Sequence, residues 1–132
     1  MGALRPYALE AAMIIIASRY LIWGAAFLLI ACAVLHSLAW MRVQADFAPA
    51  GAGRAMAALV WFLLAIDWLV IAGLWVLGAS QGTGARASLL LSAIIPIAVA
   101  VGLCMALGPR FFAIYVQLSA AALVVTGALG MR

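Results

Sequence analysis

Residues 55–77 read AMAALVWFLLAIDWLVIAGLWVL, directly after Arg54, and apart from Asp67 nothing in the stretch is ionisable. About 20 helical residues cross a hydrocarbon layer roughly 30 Å thick. The stretch is therefore long enough to span a bilayer. Three more windows meet the same test: Tyr20–Met41 between Arg19 and Arg42, Ala87–Leu107 between Arg86 and Gly108, and Phe111–Met131 between Arg110 and Arg132.

These spans must be helical. An open sheet in lipid leaves backbone groups unpaired, and four strands cannot close a barrel. Alternation with period two is also absent. The fold expected is an all-α membrane protein, an antiparallel bundle of four transmembrane helices, with residues 1–132 forming a single membrane domain. Composition points the same way: 71% of the 132 residues are hydrophobic and only 8% are charged. A soluble domain of this size cannot hide so much apolar surface, because small domains keep a large exposed area.

The connections are short. Val43–Gly53 is a polar loop with Asp46, Pro49 and Gly51, Gly78–Ala85 is a Gly/Ser/Thr turn, and Gly108-Pro109-Arg110 forces a tight hairpin. Upstream of the first span, Pro6 opens a helix. Residues 6–19 then either extend helix one or lie along the interface. Leu29-Ile30-Ala31-Cys32 has the shape of a lipoprotein cleavage box. The residues after such a cysteine are normally polar, whereas Ala33, Val34 and Leu35 continue the apolar run, so Cys32 reads as an ordinary helix residue.

The net charge is +4, and all seven basic residues are arginines. They stand singly at span ends, where they anchor helices at the headgroups. No basic cluster marks a nucleic-acid partner. If both termini share a side, Arg5, Arg19, Arg86 and Arg132 face Arg42, Arg54 and Arg110 across the bilayer. The margin is thin and leans toward termini in the cytoplasm, and near-symmetry is also what a dual-topology dimer shows. Arginine-only, Ala/Gly/Leu-rich usage points to a GC-rich bacterial genome, hence to a multi-pass inner-membrane protein.

The second span carries the strongest pattern. Ala58, Ala65, Ala72 and Ala79 recur every seven residues, and Trp61, Trp68 and Trp75 follow at the same period. Small residues admit a neighbouring backbone and the rings fill the space between contacts, so the pattern predicts a buried packing seam. An aromatic wall around a lipid, quinone or pigment is the functional counterpart. In the fourth span, Ala122, Thr126 and Gly130 form a small-residue stripe that predicts close helix packing.

Several other polar residues lie within the spans. His36, the only histidine, falls about 7.5 Å inside the membrane edge near Met41, and Cys104, Tyr115 and Gln117 fall about 5–9 Å inside the same edge. An imidazole needs partners, so Tyr115 or Gln117 is expected to approach His36. Cys32 lies one turn deeper on the same face. Cys32, His36 and Cys104 make an incomplete ligand set, so no metal is expected. Asp67 lies near mid-span, where a carboxylate costs about 2.5–3.5 kcal/mol on insertion scales. It is expected to face the bundle. Pro96 frees the carbonyl of Ser92, and both Ser92 and Asp67 count to about the same depth, so Ser92 is its expected partner.

No catalytic constellation appears, and no cofactor is announced. The function expected is that of a small non-catalytic integral membrane protein, not an enzyme, acting as a homo-oligomer or as an accessory subunit beside other membrane proteins. The alternative is a proton- or cation-coupled small transporter using Asp67, with His36 as a relay.

Overall fold

The structure, a computed structural model, describes residues 5–44 and 52–131, and these are almost entirely helical. The elements are α1 (Arg5–Val43), α2 (Ala52–Gln81), a 3-10 turn (Gly82–Ala85), α3 (Arg86–Ser92), α4 (Ile94–Leu107) and α5 (Phe112–Gly130). Three helical runs are long and apolar enough to cross a membrane: Tyr7–Val43, Gly53–Leu107 and Phe112–Gly130. Asp46, Pro49, Gly51 and Arg132 lie outside the described residues.

The segment 6–19 continues α1 without a break at Arg19. At 1.5 Å per residue the 39-residue helix is about 58 Å long, well beyond the hydrocarbon thickness. Ser18 turns its hydroxyl back onto the Ile14 carbonyl at 2.8 Å, which satisfies it without leaving the helix.

The middle run is not one straight rod. Gly82 has φ +70, a conformation that costs an L side chain but not glycine. The chain reverses there, because Trp75 Nε1 donates to Ser92 Oγ at 2.7 Å across a sequence gap that would stretch about 25 Å in a continuous helix. A Cβ on Gly78 would lie 2.9 Å from Leu89 Cδ2, so the same glycine lets α3 approach α2. Pro96 then interrupts the following helix. It lacks an N–H and crowds the carbonyl four residues back, at Ser92, and the helix breaks at Ala93 between α3 and α4.

α1 is the central element. It packs along α2 on one side and α5 on the other, while α4 rests on α5 and α3 touches both α2 and α5. Among the described residues α2 and α4 touch at most marginally. The interior is built largely from alanine, with Ala25, Ala72, Ala79, Ala120 and Ala128 fully buried around Ile22, Leu29, Trp75 and Val124. In lipid no hydrophobic force drives apolar helices together, so close backbone approach past small side chains supplies the attraction.

On α5 the buried stripe is Gln117, Ala120, Ala121, Val124, Gly127 and Ala128. This corrects the stripe expected from sequence: Ala122 and Thr126 are exposed and only Gly130 reaches α1. At Gly127 the α1 backbone itself comes close, and an added Cβ would stand 2.6 Å from Ile22 Cγ1 and 2.7 Å from the Ser18 carbonyl oxygen.

Candidate functional site

His36 and Asp67, the two ionisable groups singled out in the spans, lie at different faces of α2. The inner face carries the Ala/Trp heptad. Ala65, Trp68, Ala72, Trp75 and Ala79 are buried, and Ala58 and Trp61, nearer the helix start, are half-buried.

His36 lies against this face. Its Nε2 is 3.2 Å from the Trp61 carbonyl oxygen. A carbonyl only accepts, so Nε2 carries the proton and donates. Trp61 returns the bond, its Nε1 donating to the His36 carbonyl at 2.7 Å. The two rings are stacked, with centroids 4.0 Å apart and planes 9° from parallel. Trp68 meets the imidazole edge-on at 5.2 Å, and Trp40 leans on Trp61 at 5.6 Å. Each helix thus lends one ring N–H to the other helix's backbone, a reciprocal clasp between α1 and α2. Arg54 Nη2 donates to Gln44 Oε1 at 2.8 Å beyond it and ties the same two helix ends together.

The expected His36 partners are elsewhere. Tyr115 is exposed, and its hydroxyl donates to the Pro109 carbonyl at 3.0 Å, closing the α4–α5 hairpin. Gln117 is fully buried between α5 and α1, where its Nε2 lies 3.8 Å from Cys32 Sγ. The reason is azimuth: His36 points from α1 toward α2, while Cys32, one turn away on α1, reaches α5. Two buried polar atoms in these layers, Trp68 Nε1 and Gln117 Oε1, have no hydrogen-bond partner among the described residues. Cys32 and Cys104 are free thiols. Among the described residues no three His, Cys, Asp or Glu side chains group as metal ligands.

Asp67 lies on the opposite face of α2. It is exposed, and its neighbours one turn away, Leu63 and Val70, are exposed too. The expected Asp67–Ser92 bond is therefore corrected. Ser92 accepts from Trp75 and donates to the Leu89 carbonyl at 3.0 Å. Asp67 sits eight residues back along α2 from Trp75, about 12 Å away along the axis. The reason is register. Counting from the Gly82 turn pairs Ser92 with Trp75, whereas counting from the far end of the span pairs it with Asp67. His36 and Asp67 are also not in contact, since the imidazole rests on the inner face.

No known protein family, curated protein or solved structure matches the chain. Its chemistry alone bears on its role. The inner face is a packing clasp, with both ring donors spent on backbone carbonyls. Asp67 is the unusual feature, an ionisable side chain exposed in the middle of an apolar run.

The spacing of His36 and Trp61 carries a signal that depth counting on one side of the bundle misses. His36 stands six residues before Arg42 and Trp61 seven after Arg54, and these two arginines flank the same connection. That symmetry puts the two rings at one level.

Proposed function

We propose that this protein is a small, non-catalytic integral membrane subunit that works by assembling with other chains in the bilayer. The observation that carries the proposal is Asp67, exposed on the outer face of α2. A carboxyl held against hydrocarbon costs several kcal/mol, and intramembrane ionisable groups normally face protein or water. Among the described residues of one protomer, none covers Asp67. Contact with another chain removes the cost and supplies an adhesive polar contact.

The proposed topology is four antiparallel spans, with Gly53–Leu107 supplying two of them through the reversal at Gly82. Contact pairs support this: His36 meets Trp61, Trp75 meets Ser92, and Cys32 meets Gln117 while Ser18 meets Gly127, so residue numbers run in opposite senses on touching helices. A bacterial inner membrane is the proposed location, on the arginine-only composition.

Native mass spectrometry after extraction in mild detergent tests the reading. The wild-type protein is expected to leave the membrane in a particle larger than one chain, and Asp67→Leu to leave it as a single chain with its helix content intact. A wild-type particle holding one chain would remove the proposal.

A further inference from the structure

The outer face of α2 has its own period. Val60, Leu63, Asp67, Val70, Leu74 and Leu77 follow one another at alternating spacings of three and four, and all six are exposed. That is the a/d spacing of a two-helix seam, in which a single polar residue at an a position fixes register and partner number. The apolar members need no cover in lipid. Asp67 does.

Nothing described in the protomer can cover it. Among the described residues α4 touches α2 at most marginally. Arg54 is 13 residues away along the same helix, about 20 Å, and Arg86 lies beyond the Gly82 turn at a similar distance. In a second copy related by a twofold axis along the bilayer normal, every residue meets the depth of its own twin. The group that such a copy brings to Asp67 is Asp67. Two carboxyls that keep their protons are self-complementary, because each O–H donates to the other's carbonyl oxygen and both acids are satisfied together. Neither proton is transferred and no counter-charge is needed.

The geometry points to a parallel homodimer through the outer face of α2, with Asp67 paired to its twin at the centre of the seam. This rests on the assembly reading above and names the partner as a second copy of this chain. A heteromeric partner carrying a basic residue at this depth is the competing occupant.

The experiment uses purified full-length protein in liposomes. With Cys32 and Cys104 replaced by alanine, single cysteines are placed at Leu63, Val70 and Leu74 on the seam and at Leu69 and Val76 off it. Oxidation is expected to link the seam positions into dimers and to spare the others. A fluorescently tagged chain that keeps its native cysteines is counted in parallel by stepwise photobleaching, so a folding defect in the cysteine-free background does not decide the matter. Wild type and Asp67→Asn are expected to bleach in two steps, since a carboxamide also donates and accepts. Asp67→Leu is expected to form about tenfold fewer dimers at equal dilution. Loss of the dimer in Asp67→Asn, single-step bleaching of the wild type, or equal linkage at all five positions would overturn the homodimer. If the purified chain is monomeric but extracted membranes hold an Asp67-dependent complex with another subunit, the homodimer falls and the assembly reading stands. If neither complex exists, both fall.

Discussion

Replacing Gly127 by leucine is expected to separate α5 from α1 and to cost about 3 kcal/mol or more. Even the single carbon of alanine has no room, since a Cβ at Gly127 would stand 2.7 Å from the Ser18 carbonyl oxygen and 2.6 Å from Ile22 Cγ1. The Ile22 side chain can rotate, but the Ser18 carbonyl belongs to the α1 backbone and moves only with the helix. Gly127→Ala is therefore expected to cost about 1–3 kcal/mol. The matched control is Gly73, an exposed α2 glycine with no atom within 4 Å of its added Cβ. There alanine relieves the backbone entropy of glycine, and Gly73→Ala is expected to stabilise by about 0.5–1 kcal/mol. Unfolding by sodium dodecyl sulfate in mixed micelles, followed by circular dichroism, measures all three. Equal behaviour of Gly127→Ala and Gly73→Ala would mean that α1 and α5 are not in close contact.

The second large effect belongs to the His36–Trp61 clasp. His36→Ala removes the stacked ring, its Nε2 donor and the edge contact with Trp68, and Trp61→Ala removes the ring from the other side. Each is expected to cost about 2–4 kcal/mol, as ring truncations in packed sites do. The two losses should not add. Both variants break the same stack and the same pair of hydrogen bonds, so a double-mutant cycle is expected to return a coupling of about 1–2 kcal/mol. Trp61→Phe keeps much of the stack and loses only the Nε1 donor, and should cost about 1 kcal/mol. Additive losses in the cycle would show that the rings do not touch.

How much of this was legible beforehand divides by coordinate. Helical, apolar character was: the runs between the arginines and glycines form helices long and apolar enough to cross a membrane. Rotation about the helix axis was not, because nearly every face of every span is apolar and composition does not tell lipid from protein. The exception is α2, where the Ala/Trp heptad and the buried face coincide at Ala65, Trp68, Ala72 and Trp75. On α5 no repeat like the Ala/Trp heptad breaks the degeneracy, and Ala122 and Thr126 of the small-residue stripe named from sequence lie on the exposed side of the helix. For Asp67 the general rule that buried charges face the bundle gave the wrong direction. The rule concerns protein contact, and that contact need not come from the same chain. The Ser92 register failed for a different reason. Pro96 lies in the third span and Gly82 in the turn before it, and only the turn sets which residue meets Trp75.

The central claim is that α2 has two protein-contacting faces, one inside the protomer and one between chains. Spin labels placed singly at positions 63–72 of the full-length protein in liposomes, with collision rates to dissolved oxygen read by power saturation, test it most directly. Labels at 65, 68 and 72 are predicted to be shielded from oxygen at every protein-to-lipid ratio. Labels at 63 and 70 are predicted to be shielded at high ratio and to become oxygen-accessible on dilution, at lower dilution when Asp67→Leu is present. Labels at 63 and 70 that stay shielded at extreme dilution would place that face inside the protomer and contradict the account.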